Sequence, residues 1–190
     1  DSVSVLTMVE ITEVVNKTHY TSNHMGGNGI PQARHNGGRL FRDIPVQSIK
    51  KEFGMATITA TYLGDLRVES VHVASGARLI TDAPVDNNGK GEGFSPTDLC
   101  ATALASCAMT IIGIYGKMHD VDVTGTSIEV TKTMSANPRR IGKLEVVFTM
   151  PDREYTDKQK TMIERAAHTC PVHLSLHPDV EQVFTFHWKR

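Results

Sequence analysis

The sequence has little of what disulfide-rich, membrane-spanning or polyanion-binding proteins need. Its 190 residues hold three cysteines, too few and odd in number for a secreted disulfide framework. Basic residues number 20 and acidic residues 21, so the net charge of -1 argues against a general electrostatic grip on nucleic acid or anionic lipid. The longest apolar run covers residues 99–114 and carries hydroxyl groups, which is short for a membrane span.

Several motifs are also absent. The sequence has no GxSxG hydrolase elbow, no GxxxxGK[ST] phosphate loop and no CxxC pair. No basic region leads into an apolar stretch at the N-terminus, so no secretory signal is visible. We therefore expect a cytoplasmic protein without a nucleic-acid or membrane partner. The 39% of hydrophobic and 22% of charged residues are typical of a folded, water-soluble domain.

Residues 1–54 differ from the rest of the chain. Residues 18–38 are rich in glycine and polar side chains, which is typical of a linker, and residues 22–25 resemble the remnant of an expression vector. Met55 looks like a natural start, because an alternating strand follows it at once. Residues 3–15 are apolar enough to form a strand or a helix. We predict a domain at 55–190, preceded by an extension at 1–54 that is a tag, a linker or a leader outside it.

The domain alternates between strand and helix patterns in an order typical of an α+β fold. Gly64-Asp65 is the predicted turn of the first hairpin, and SANPRRIG that of the second. The predicted strands are 56–63, 66–74, 77–81, 121–134, 142–150 and 180–188, with a loop at 82–94 and helices at 96–118, 156–169 and 172–176.

The first helix has a strong start signal. Ser95 is a good N-cap, Pro96 suits the first helical position, and Asp98 can reach back to the cap. The helix is apolar nearly all round, so we expect it to be the buried centre of the domain.

The cysteines are the candidate reactive groups. Cys100 and Cys107 lie on one face of the first helix, roughly 10 Å apart along it, beyond the ~7 Å that a disulfide spans. Cys170 precedes Pro171 as the N-cap of a short helix, where a helix N-terminus lowers the pKa of a thiol. His168 lies two residues before Cys170 and His173 lies three residues after it, and both could supply charge or hold a proton.

Two other interpretations of the cysteines remain open. All three could be small core residues, which free cysteine often is, and Cys100 fits this best. Cys170 and His173 also have the spacing of a zinc ligand pair, with a second pair to come from Cys107 or a distant histidine. The missing CxxC pair makes zinc the weaker interpretation, and we expect no metal and no other cofactor.

The segment from Ser95-Pro96-Thr97-Asp98-Leu99 to Leu104-Ala105-Ser106-Cys107 resembles the signature of the osmotically inducible protein C and organic hydroperoxide resistance family. Members have a cysteine eleven residues after the helix proline and a second cysteine some sixty residues later, as Pro96, Cys107 and Cys170 have here. The resemblance covers essentially Met55–Trp188. It implies an OsmC-like α+β fold with antiparallel sheets around a long buried helix, in an intertwined homodimer with active sites at the interface.

The resemblance also implies a chemistry. Cys107 would attack the O–O bond of an organic hydroperoxide and become a sulfenic acid, and Cys170 would resolve it to a disulfide that an external dithiol reduces. The family's peroxidases have a glutamate after the helix proline that holds an arginine against the peroxidatic sulfur. Here that position is Thr97, followed by Asp98. Arg78 and Arg67 are the candidate arginines.

Two functions of different classes follow. The first is a cysteine-based peroxidase in oxidative stress defence. The second is a small-ligand-binding or redox-sensing protein that uses the same interface pocket, without strong peroxidase activity.

Overall fold

The computed structural model describes residues 56–189. The predicted extension, with its apolar segment 3–15 and its linker 18–38, lies outside the described residues, so the boundary at Met55 stays a prediction. The elements follow in the order β1 (Ile58–Gly64), β2 (Arg67–His72), β3 (Arg78–Thr81), a 3-10 turn (Val85–Asn87), α1 (Pro96–His119), β4 (Ser127–Ala136), β5 (Arg139–Thr149), α2 (Asp157–Ala167), α3 (Pro171–Ser175) and β6 (Glu181–His187). This is the predicted mixed α+β arrangement.

The first sheet is the antiparallel meander β1-β2-β3. Its first hairpin turns at Asp65 and Leu66, both with positive φ, one residue later than predicted. The reason is an irregularity in register between Tyr62 and Gly64, which lets Gly64 pair with Arg67 as the last residue of β1.

The second sheet has the order β4-β5-β6 and is not fully antiparallel as expected. Strands β4 and β5 form the predicted hairpin, but β6 runs parallel to β5, because α2 and α3 form the crossover between them. The hairpin loop is shorter than the predicted SANPRRIG, since the ladder continues to the pair Ala136–Arg139 and only Asn137 and Pro138 turn the chain. Strand β4 begins at Ser127, after a turn in which the Thr126 N–H donates to the Val123 carbonyl.

The core lies where α1 packs on α2, α3 and the second sheet. The expectation that α1 is the buried centre of the domain holds for one of its faces only in the single chain. One face is buried, whereas hydroxyl side chains on another face are exposed and donate to carbonyls three or four residues earlier in the helix. The length and composition of α1 would also suit a membrane span, but its apolar face packs into the protein as that of a core helix does. The fully buried core includes Leu104, Ala108 and Ile112 of α1, Leu144, Val146 and Phe148 of β5, and Ile163 of α2.

Candidate active site

The start of α1 forms as the sequence predicts. The Ser95 hydroxyl accepts from the Asp98 N–H at 3.1 Å, and Asp98 Oδ2 accepts from the Ser95 N–H at 2.9 Å, which completes a capping box. Pro96 occupies the first turn, where its missing N–H costs no hydrogen bond. This cap fixes where α1 begins and therefore which face carries Cys107 three turns later.

The structure brings Cys107 and Cys170 together. Cys107 is half-buried on α1, and Cys170 is fully buried as the N-cap of α3, which packs on α1. Cys107 acts on the Cys170 thiol through hydrogen bonding and charge, and both effects raise the pKa of Cys170. All three cysteines are free thiols, and Cys100 is half-buried on α1. Two residues 63 positions apart in sequence are thus neighbours in space.

The expectation of a lowered pKa for Cys170 is wrong. Burial, and to a smaller extent Cys107, raise the pKa of this thiol to about 11, although the backbone N–H groups of His173 and Val172 act in the opposite direction. The predicted cap itself is present, because the His173 N–H donates to Cys170 Sγ at 3.2 Å. Desolvation of the thiolate therefore outweighs the helix terminus, which has only five residues behind it.

Two histidines and an aromatic ring surround this cysteine segment. The His168 ring lies 5.4 Å from that of His173 and 4.8 Å from that of Phe184, measured between centroids. Burial, then the neighbouring His173, lowers the pKa of His168 and favours its neutral form. Gln182 Oε1 lies 2.8 Å from His173 Nδ1. Gln182 and Phe184 were not expected in the site, because β6 gives no sequence signal that it packs beside Cys170.

Thr97 and Asp98 are both engaged by a residue that sequence reasoning missed. Lys132 Nζ of β4 donates to Thr97 Oγ1 at 2.7 Å and to Asp98 Oδ1 at 2.6 Å. Burial of Asp98 raises its pKa, but hydrogen bonds from Lys132 and Ser95 outweigh this effect and lower the pKa to about 2. Both carboxylate oxygens of Asp98 thus accept hydrogen bonds, and among the described residues no arginine donates to this carboxylate.

The two candidate arginines have different surroundings. Arg78 is exposed and donates to Glu69 at 2.9 Å. Arg67 is less exposed and donates to Glu92 and to Asp82, which is 2% exposed. A backbone N–H of Glu92, followed by Arg67, lowers the pKa of Asp82 against its desolvation. Among the described residues, neither guanidinium makes a hydrogen bond to a cysteine.

An open cavity of about 720 Å³ lies along another face of α1. It is lined by the glycine-rich loop 91–94, by Asp98 and Ala101 of α1 and by Lys132 of β4. No group of three or more potential metal ligands occurs among residues 56–189. In the part of the chain that the structure describes, Cys170 and His173 therefore have no third residue beside them that could complete a zinc site.

Comparisons with known proteins agree on one family. Residues 89–182 match the family model described as OsmC-like protein. A candidate osmotic stress induced and detoxification response protein from Psychrobacter arcticus 273-4 is 50% identical, and the match covers 70% of this chain and 97% of that chain with a TM-score of 0.68. No curated protein matches the chain.

Two more distant structures have the same fold. An organic hydroperoxide resistance protein OsmC from Legionella pneumophila is 16% identical, with 68% of this chain and 94% of that chain covered and a TM-score of 0.56. An organic hydroperoxide resistance protein from Elizabethkingia anophelis is 17% identical, with 71% and 98% covered and a TM-score of 0.56.

Proposed function

The chain belongs to the OsmC-like family, and on this premise we propose that it is a homodimeric thiol peroxidase that reduces organic hydroperoxides in oxidative stress defence. One observation carries the proposal. Cys107 and Cys170 come from different elements, are both reduced, and interact through their thiols. A cysteine pair of this kind is what a sulfenic acid followed by a disulfide requires.

The proposed reaction has three steps. The Cys107 thiolate attacks the outer oxygen of the hydroperoxide, the O–O bond breaks, and an alcohol leaves while Cys107 becomes a sulfenic acid. The Cys170 sulfur then attacks the Cys107 sulfur, and water leaves as the disulfide forms. An external dithiol reduces the disulfide by thiol–disulfide exchange and restores both thiols. No metal or other cofactor takes part in these steps.

The homodimer is supported by the first sheet. Large apolar side chains of β1, of β3 and of the turn after β1 are exposed in the single chain, which marks an interaction surface. They are Ile58, Tyr62, Leu63, Leu66, Leu79 and Ile80. A second copy that covers this sheet would also bring Arg67 to another chain. We favour Arg67 over Arg78 as the arginine that serves the peroxidatic thiol, because a buried carboxylate holds it.

The experiment is consumption of an organic hydroperoxide with a dithiol reductant. Cys107→Ser is expected to abolish turnover. Cys170→Ser is expected to reduce one equivalent of hydroperoxide rapidly and then to stop, because the disulfide cannot form. Cys100→Ser is the matched control, because Cys100 lies on the same helix and is also half-buried. Turnover in Cys107→Ser equal to that of the wild type would disprove the proposal.

A second candidate function rests on Thr97. Its hydroxyl is bonded to Lys132, and no carboxylate stands where the family's peroxidases hold their arginine. This arrangement favours a small-ligand-binding or redox-sensing protein. Alkylation of Cys107 as a function of pH separates the two, since a peroxidatic thiol reacts well below the ordinary thiol pKa of ~8.5. An ordinary profile, with no turnover, would favour the second function.

A further inference from the structure

The open cavity beside α1 lies apart from the redox pair. Asp98, Ala101 and Thr102 form its α1 wall. With 3.6 residues in each turn of an α-helix, these positions lie roughly 120–180° around the helix from Cys107. The cavity therefore belongs to another side of α1. Its volume of about 720 Å³ is that of a site for a small organic molecule.

The loop wall of the cavity, residues 91–94, is held in place by Asp82. The Glu92 N–H donates to Asp82 Oδ2 at 2.9 Å, and the Asp82 N–H donates to the Phe94 carbonyl at 3.1 Å. Asp82 is 2% exposed, so both hydrogen bonds are anchored at a buried residue. This wall is therefore preformed, as the walls of ligand sites commonly are.

The cavity contains an exposed aromatic ring. Phe94 is 54% exposed although its loop is anchored, and Val130 of β4 and Ala101 of α1 add further apolar atoms to the lining. An apolar ligand that covers the ring would recover the free energy that its exposure to water costs. Thr102 and Thr131, both exposed, also line the cavity and offer hydroxyl groups to a polar atom of the ligand.

The ammonium group in the lining is fully engaged by the protein. Lys132 Nζ lies 2.7 Å from Thr97 Oγ1, 2.6 Å from Asp98 Oδ1 and 3.4 Å from Ser95 Oγ. An ammonium has three N–H groups, so none remains for an anionic ligand. The pKa of Asp98 is lowered to about 2, so this carboxylate neutralises Lys132 throughout the physiological pH range.

Glu92 makes the lining negative. Its side chain is 64% exposed and accepts from Arg67, which also donates to Asp82 at 3.2 Å. One guanidinium thus faces two carboxylates, and the three groups together keep one negative charge. Because Lys132 and Asp98 cancel each other, this charge is not compensated within the lining, and an anion in the cavity would be repelled.

We propose that this cavity is a binding site for an uncharged organic molecule with an apolar body and a hydrogen-bonding group. Phe94 and Val130 contact the apolar body, and the threonine hydroxyl groups bind the polar atom. Glu92 excludes anions of the same shape. The inference goes beyond the proposed peroxidase, since it assigns a second site that takes no part in the cysteine chemistry and needs no redox step.

The test compares two fluorescent dyes on the full chain. N-phenyl-1-naphthylamine is uncharged, and 8-anilino-1-naphthalenesulfonate has the same ring system with a sulfonate added. The neutral dye should bind saturably, and the sulfonate at least about tenfold more weakly. Phe94→Ala should weaken binding of the neutral dye at least about fivefold. Val85→Ala is the matched control, because Val85 is 73% exposed in the same loop and does not line the cavity.

A second pair of variants tests the charge without touching the apolar lining. Glu92→Gln should strengthen binding of the sulfonate at least about threefold and leave the neutral dye unchanged. Glu69→Gln removes the same charge from β2, outside the cavity, and should change neither affinity.

Three results would overturn the inference: no saturable binding of the neutral dye, equal affinity for both dyes, or wild-type binding of the neutral dye by Phe94→Ala. None of them depends on hydroperoxide turnover, so the proposed function succeeds or fails separately.

Discussion

Both carboxylate oxygens of Asp98 accept hydrogen bonds, one from β4 and one from the cap of α1. Oδ1 accepts from Lys132 at 2.6 Å and Oδ2 from the Ser95 N–H at 2.9 Å. Its pKa of about 2 lies below the ordinary 3.8, so its charge stabilises the fold above about pH 4. That contribution is lost as the pH falls from about 4 towards 2.

Asp98→Asn should remove this charge and keep the capping acceptor. We expect a loss of about 1 kcal/mol in the free energy of unfolding at pH 7, a discounted value because the side chain is 42% exposed. Urea unfolding across pH should show the difference shrinking below about pH 4. Asp86→Asn, which breaks the exposed pair with Arg139, is the control and should cost less than about 0.5 kcal/mol. A loss that persists unchanged at low pH would contradict the assignment.

Cys170 shows what sequence neighbours can and cannot predict at the scale of a residue. Its N-cap position follows from Cys-Pro and is confirmed. The direction of its pKa shift could not be predicted in the same way, because the burial of Cys170 depends on packing against α1, which is remote in sequence. Lys132 and Gln182 were missed for the same reason, since each reaches its partner from a strand that gives no local signal.

At the scale of elements, the last turns of α1 contain two glycines with opposite surroundings. A Cβ on Gly116 would lie 2.5 Å from the Val121 carbonyl oxygen, a backbone atom that cannot turn away. A Cβ on Gly113 would meet nothing within 4 Å. Gly116 therefore permits the close return of the chain after α1, whereas Gly113 only lowers helix propensity.

Alanine at these two positions should change stability in opposite directions. Gly116→Ala is expected to destabilise by about 2 kcal/mol through overpacking. Gly113→Ala is expected to stabilise by about 0.5–1 kcal/mol through helix propensity. Thermal unfolding measures the change in stability of each variant. Each variant is the control for the other, because both replace glycine by alanine in the same helix. Equal destabilisation by both would contradict the open space beside Gly113.

Local signals predicted most elements because caps and alternation are local. The capping box of α1, the start of α2 and the strands of the first sheet agree with their patterns. The parallel direction of β6 could not be predicted from the alternation of apolar and polar residues, because alternation is the same in either direction. The direction depends on the path of the crossover between β5 and β6. The length of the second hairpin was misjudged because Arg139 and Arg140 suit a loop and yet continue the ladder.

At the scale of the whole molecule, the exposed apolar residues of the first sheet predict self-association. Sedimentation equilibrium of the wild type should give the mass of a dimer. A double change to charge on β3, Leu79→Lys with Ile80→Lys, should shift the equilibrium towards the monomer, since both residues are more than a third exposed in the single chain. Arg78→Lys on the same strand keeps its charge and serves as the control. A wild-type monomer at all concentrations would contradict the proposed homodimer.

The most direct test of the redox pair is to identify the product of one oxidation. The reduced protein would be treated with one equivalent of an organic hydroperoxide, without reductant, and its peptides analysed by mass spectrometry. The account predicts a disulfide between Cys107 and Cys170, with Cys100 recovered as a free thiol. Oxidation confined to Cys100, or an unreacted Cys107 and Cys170, would contradict it.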